Sequence, residues 1–516
     1  MLNERRSGVL LHPTSLPGPH GIGDLGPGAY HFVDWLASAG QTLWQVLPLT
    51  PIGPGNSPYS SVSAFAGSPL LVALEPLVDA GWLLRIDAAE TERFDPHRVD
   101  FGAVVPWRVA KLRLAEQGFN ARASAAERAD LDAYCARESV WLDDYALFMA
   151  LDAHFSAADA ACIWPQWDAP LARRDPSALA VVREHYSAEI RFWKFVQWCF
   201  GAQWARLRAY AASKHVRVVG DLPIFIAHHS ADCWARPDLY RLDAGFMPTV
   251  VAGVPPDFFS ATGQRWGNPL YRWDAFEREG YGWWIARMRR QFDLADIVRI
   301  DHFRGFAGNW EIPATCPTAV EGRWAQGPGA RLFSAIESVL GRLPIIAEDL
   351  GLITPDVVEL RDRFGYPGMR IVQFGFGADA QHAFLPHNYC RNTVTYTGTH
   401  DNDTVRGWWS TCTDRERDFA RIYLSTRGDD VHWAMIRAAS ASTANTAIFP
   451  LQDILWLDGY HRFNTPGVTG CWTWRFTWDW VGSETAGQLA ALSAAYGRAP
   501  IEWLKLSAWP DARPKP

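Results

Sequence analysis

The chain has 516 residues, of which 48% are hydrophobic and 20% charged, and its mean hydropathy is −0.13. That balance belongs to a folded protein with a large core and excludes a mainly disordered chain. Asp and Glu number 56 against 49 Lys and Arg, so the net charge of −7 gives no general attraction for nucleic acid or an anionic membrane. An uncharged ligand is the expectation.

The first residues, MLNERRSGVLLHP (1–13), contain only a short apolar run before His12 and Pro13, less than a secretion signal needs. No apolar stretch is long enough to span a bilayer. The eight cysteines are scattered without a Cys-x-x-Cys pair, which reads as reduced thiols of a cytoplasmic protein.

Eight short apolar, β-branched runs follow in chain order, most of them ending on polar or acidic residues. They are GVLLHP (8–13), TLWQVLPL (42–49), VRVVGDLP (216–223), DIVRID (296–301), PIIAEDLG (344–351), MRIVQFGF (369–376), TVTYTGTHD (393–401) and TAIFPLQD (446–453). Each has the composition of a buried parallel strand. Amphipathic stretches at 31–40, 283–295, 331–341 and 356–365 separate several of them. Strand and helix alternating in this way predict an α/β fold, a (β/α)8 TIM barrel spanning 1–516 as one catalytic unit. The 52–215 segment is too long for a crossover and predicts an inserted, mostly helical subdomain between strands 2 and 3. A second insertion, 224–272, is rich in Pro, Gly and aromatics. The residues after 453 suffice for a final helix, and no separate C-terminal β-domain is expected.

Several motifs are set aside. GIGDLG (21–26) fits the dinucleotide-binding glycine pattern, but prolines separate it from the strand before, and the next strand ends without the ribose-binding acid. His228 and His229 are adjacent and His382 and His387 are five apart, so no metal set is expected. The Gly-x-Ser-x-Gly elbow is absent. The 27 tryptophans serve packing for the most part, but Trp also stacks on the apolar faces of sugars.

Acids at strand ends stand out: Asp221, Asp301, Glu348 with Asp349, and Asp401. One such acid is more often a helix cap. Four strands ending in this way, with Arg299 and His400 beside two of them, place acids where a barrel's chemistry occurs. Arg299 and Asp301 lie two apart on one strand and so share a face, and the guanidinium favours the ionised carboxylate that a nucleophile needs. A retaining glycosidase adds a protonated carboxylic acid roughly 5–5.5 Å away. Glu348, on the next strand, is its candidate, with a pKa raised by burial and neighbouring carboxylates. Asp349 points the other way and is read as structural. Asp401, assisted by His400, is placed to bond sugar hydroxyls. Spacing alone leaves the division of roles among the acids open.

LLHPTSLPGPHGIGDLG (10–26), SPYSSVSAFAGSPLL (57–71), GDLPIFIAHHSADCWA (220–235), AGVPPDFFSATGQRWGNPLY (252–271), VRIDHFRGF (298–306), IIAEDLG (345–351), PGMRIVQF (367–374), YTGTHDNDT (396–404) and RFNTPG (462–467) occur in this order. Through them the chain resembles, nearly end to end, the bacterial 4-α-glucanotransferases or amylomaltases, relatives of the α-amylase superfamily. The resemblance implies Asp301 as nucleophile, Glu348 as general acid/base and Asp401 as transition-state stabiliser, supported by Arg299 and His400. It implies a loop with Asp257, Gln264 and Trp266 over the substrate channel, and substrate contacts by Tyr59, Asp221, Phe374, Asn402 and Asn464. His229 and Gly377 depart from residues common in relatives. The implied reaction moves a segment of an α-1,4-glucan to the 4-hydroxyl of an acceptor through a glycosyl–aspartate ester, with no cofactor and no metal. The implied partners are α-1,4-glucans, in a monomer or weak homo-oligomer. A hydrolytic α-amylase-like enzyme would share the three acids, and a non-catalytic glucan-binding protein would share the tryptophans.

Overall fold

The structure, a computed structural model, describes residues 2–256 and 260–500. Its strands are β1 (Arg6–Leu10), β2 (Leu43–Gln45), β3 (Arg217–Pro223), β4 (Val250–Val254), β5 (Gln264–Pro269), β6 (Ile297–Asp301), β7 (Gly308–Pro313), β8 (Arg323–Gln326), β9 (Ile345–Ala347), β10 (Gly368–Ile371), β11 (Thr393–Tyr396) and β12 (Thr446–Pro450). Eight of these form one parallel sheet in the order β10-β11-β12-β1-β2-β3-β6-β9. A hydrogen bond from Ala347 N–H to the Pro367 carbonyl, at 2.9 Å, joins the two ends, so the sheet closes into a barrel. These strands are the eight apolar runs of the sequence. Their side chains are almost all buried, because helices cover the outer face and side chains fill the interior.

The first helix, Pro27–Ser38, starts with Pro at its first turn, and Phe32, Val33, Trp35 and Leu36 form its buried stripe. Helix Ala330–Leu340 buries Leu332, Phe333 and Ile336 in the same way. Between β2 and β3 the chain forms the helices Phe101–Arg122, Ala125–Arg137, Ser139–Ala158 and Ser187–Ser213. The last of these carries two buried glutamines that read loop backbone. Gln197 accepts from Gly67 N–H and donates to its carbonyl, and Gln203 does the same with Ala73. Each amide satisfies both its polar groups, so the loop after β2 is fixed without a buried polar orphan. No helix among the described residues is long and apolar enough to cross a membrane.

A second sheet differs from the sequence reading. β4 and β5, within 224–272, pair antiparallel, and β4 also pairs with β7, which pairs with β8. The 308–326 segment, to which the sequence reading assigned no element, therefore completes a four-stranded sheet with the second insertion. Its two hairpins leave the barrel after β3 and after β6. The buried Val251 and Ile312, with Ala319, form its own small core.

β1 and β2 approach closely at Gly8, which faces Leu43 in register. A Cβ on Gly8 would lie 2.5 Å from both the Cβ and the carbonyl oxygen of Leu43. Gly8→Ala is expected to lower stability by about 1–3 kcal/mol, the usual range for overpacking, which urea unfolding would measure.

Candidate active site

The site is built on the C-terminal ends of β3, β6, β9 and β11. β3 and β6 pair with Asp221 opposite Arg299 and Pro223 opposite Asp301. This register brings one guanidinium between two carboxylates. Arg299 Nη1 donates to both oxygens of Asp221 at 2.7 and 2.8 Å, and Nη2 donates to Asp301 Oδ1 at 2.9 Å. Arg299 and Asp221 are fully buried, whereas the Asp301 side chain keeps 27% of its exposure at the barrel mouth. Tyr59, delivered by the loop after β2, donates its hydroxyl to Asp221 Oδ2 at 2.6 Å.

Arg299 favours the ionised form of Asp301, as its place in the sequence suggested, but burial outweighs it. Burial pushes the Asp301 pKa up to about 6, and Asp221 adds to the rise, because the guanidinium that opposes it is shared with Asp221.

Glu348 follows β9 directly. Its carboxylate accepts from His302 N–H through Oε2 and from Leu350 N–H through Oε1, both at 2.7 Å. Burial raises its pKa to about 7; Arg299 and the two backbone donors oppose this, and the nearby Asp301 reinforces it. Asp349, on the other side of the strand, accepts from Met369 N–H and pairs with Arg361 and Arg370 beneath the site.

Asp401 lies in the turn after β11. Burial alone would raise its pKa, but His400, 3.3 Å away through Nε2, and the Asn464 amide, 2.7 Å from Oδ1, hold it well below the carboxylate range. His400 is raised by the same pairing despite its burial. Tyr59 stacks on the His400 ring, centroids 5.1 Å apart, and Trp472 packs against both rings, 5.7 Å from Tyr59 and 6.0 Å from His400. Tyr59 thus joins the Asp221–Arg299–Asp301 group to the His400–Asp401–Asn464 group. The turn is anchored from below, where buried Asp453 accepts from Thr397 and from Val405 N–H.

The remaining expected contacts are placed as follows. Gln264 Oε1 accepts from Trp266 Nε1–H at 3.1 Å, and the half-exposed Trp266 meets the His302 ring edge to face at 4.7 Å. Phe374, 37% exposed, follows β10 beside Phe384. Asn402 uses its amide oxygen within its own turn, accepting from the Thr399 N–H and hydroxyl. Asp257 lies outside the described residues. His229 is a structural link: Nδ1 accepts from Trp164 N–H and Nε2 bonds Asp152.

Sequence reasoning missed His302. It adopts a left-handed backbone conformation (φ 50°), which turns its N–H onto Glu348. Burial drives its pKa down to about 3, so its ring is neutral, and Nε2 is buried without a hydrogen-bond partner. Its position directly after a strand-end acid was the available signal. Among the described residues one trio, His20, Asp24 and Glu75, has ligand atoms close enough to share a metal ion, but Arg108 already pairs with Asp24 there.

A parallel barrel whose C-terminal rim gathers an arginine-bound carboxylate, a carboxyl group of raised pKa and a histidine-bound carboxylate defines a carboxylate-dependent enzyme of glycosidic bonds. A family model for 4-alpha-glucanotransferase matches residues 11–480. The 4-alpha-glucanotransferase of Thermus thermophilus is 48% identical over 503 residues, spanning 96% of this chain and 99% of that protein. The chloroplastic/amyloplastic 4-alpha-glucanotransferase of Arabidopsis thaliana is 45% identical over 509 residues, spanning 96% of this chain and 86% of that protein. The amylomaltase of Streptococcus agalactiae, solved in complex with acarbose, matches with a TM-score of 0.91 at 36% identity, covering 96% of this chain and 100% of that one. The chain belongs to the 4-alpha-glucanotransferase family and is a transferase of that activity.

Buried Asp221 takes two hydrogen bonds from Arg299. Arg299→Ala is expected to cost about 3–5 kcal/mol by leaving a buried carboxylate unpaired. The double substitution with Asp221→Ala should recover part of that loss in urea unfolding.

Proposed function

We propose that Asp301 is the nucleophile, Glu348 the general acid and base, and Asp401 the group that steadies the sugar as it turns oxocarbenium-like. The observation that carries this assignment is the different set of partners around each carboxyl group. Burial raises Asp301 and Glu348 above the ordinary carboxylate range, and Asp301 adds to the rise at Glu348, while His400 and Asn464 hold Asp401 low. Retaining chemistry needs such a neighbouring pair, a carboxylate beside a carboxylic acid.

In the first step the Glu348 proton passes to the glycosidic oxygen as that bond to the anomeric carbon breaks, and an Asp301 oxygen bonds to the carbon. The leaving glucan departs with its new 4-hydroxyl. Formation of the ester removes the Asp301 negative charge, and with it one of the influences that raises Glu348. Glu348 therefore becomes a better carboxylate when it must act as base. In the second step it takes the proton of the acceptor 4-hydroxyl, whose oxygen replaces Asp301 at the anomeric carbon. One α-1,4 bond is exchanged for another, so no redox or energy cofactor enters the balance.

The substrates in this reading are α-1,4-glucans, such as maltooligosaccharides, starch or glycogen. Tyr59, Phe374 and Asn464 line the channel in this reading, with Asp221 behind Tyr59, Asn402 in the turn after β11, and Gln264 and Trp266 over it. Trp266 over His302 supports a shielded ester, which lets sugar arrive before water. Cytoplasmic residence and a monomer or weak homo-oligomer complete the reading.

The pH profile tests it. Activity should fall below about pH 6 as Asp301 gains a proton, and above about pH 7 as Glu348 loses one. In Glu348→Gln, turnover of a donor with a good leaving group should persist and lose its alkaline limb, with azide accelerating it. Retention of that limb would remove Glu348 from the role. Pure maltotriose should yield glucose and longer glucans without steady growth in reducing ends.

A further inference from the structure

An open cleft of about 730 Å³ lies between the β7–β8 hairpin, the first turn of helix Ala330–Leu340 and the length of helix Pro355–Arg363. One wall is Trp324, on β8 at the edge of the antiparallel sheet. The indole stands on Trp310 of the paired strand, edge to face at 5.2 Å, and Arg304 stacks over it at 3.8 Å. Even so, 41% of Trp324 stays exposed. Arg304 is itself held by the Leu352 carbonyl at 2.6 Å, so the platform is braced by the loop that follows Glu348.

We propose that this cleft is an accessory site for the non-reacting arm of an α-1,4-glucan, distinct from the channel over the three acids. The proposal rests on the glucanotransferase chemistry and extends its reach. The first argument is chemical. An aromatic wall faces exposed Gln326, Asp356, Glu359 and Arg363, a mixture of donors and acceptors of both signs. That pattern suits a neutral polyol with an apolar ring face better than an anion. The other cations of the cleft are already engaged: Arg304 by backbone carbonyls and the indole, and Arg331 by Glu277 at 3.4 Å.

The second argument is positional. Both helices that frame the cleft begin at the C-terminal rim of the barrel, the rim that carries the acids. Arg304 follows Asp301 by three residues and Thr354 follows Glu348 by six. An extended chain bounds those separations at roughly 10 and 20 Å. Those bounds let one long glucan lie in the catalytic channel and the cleft together, and a longer chain has more sugar units to span them than a trisaccharide. The two contacts then act as linked modules, and long chains gain affinity that short ones do not.

The test compares the intact enzyme with Trp324→Ala on maltotriose and on amylose. Transfer from maltotriose should be unchanged within about twofold, while KM for amylose rises roughly two- to tenfold, the loss of one aromatic contact. Migration through a gel containing glycogen should be less retarded than that of the unaltered enzyme. If Trp324→Ala lowers thermal stability, Glu359→Ala on the exposed rim reads out the same split. A folded variant that loses both substrates equally, or that leaves amylose KM and gel retardation unchanged, overturns the proposal. So does protection of the cleft by inorganic phosphate in place of maltoheptaose. Failure of the unaltered enzyme to disproportionate maltotriose would instead remove the transfer reading itself.

Discussion

Arg299 carries a charge that has no access to water, so the barrel must supply its counter-charges from neighbouring strands. Asp221 on β3 and Asp301 on β6 do so, and the parallel register of those strands sets the distances. The consequences reach beyond stability. Because Asp221 takes two bonds from one guanidinium nitrogen, Asp301 receives a single bond from the other and keeps part of its exposure. It is anchored but not neutralised in full, which is what the proposed nucleophile requires.

The three acids are made unlike one another by their surroundings. Asp301 shares a cation, Glu348 has two backbone N–H donors and a carboxylate neighbour, and Asp401 has a histidine and an amide to itself. The fold delivers each of these partners separately. His302 turns its amide onto Glu348 through a left-handed residue, and Asn464 comes from the chain beyond β12. Tyr59, held by the glutamine-bound loop of the helical segment, packs on His400 and bonds Asp221. The long chain between β2 and β3 thus contributes the Tyr59 ring to the site.

All eight barrel strands were legible in the sequence because a strand buried on both faces reads as a continuous apolar run. The strand-end acids were legible because they interrupt those runs where a barrel carries its chemistry. The antiparallel sheet was not. Gln264–Pro269 and Arg323–Gln326 are short, polar and without clean alternation, and the pairing of β4 with β7 that joins their two hairpins spans the chain from Val254 to Gly308. Arg299 and Asp301 were visible as neighbours, but the claim of Asp221 on the same guanidinium depends on a register between strands, which spacing along one strand cannot reveal. That the turn after β11 takes up the amide oxygen of Asn402 was equally invisible, because it depends on the folded backbone. His302 was hidden because its importance lies in a backbone conformation.

The central assignment is the covalent one, and it is tested most directly by trapping. Glu348→Gln incubated with an α-maltosyl fluoride, then cut into peptides and weighed, should carry a maltosyl unit on the Asp301 carboxylate, and the transfer product should keep the α configuration. An adduct on Asp401 or Asp221, or a product inverted at the anomeric carbon, would contradict the account.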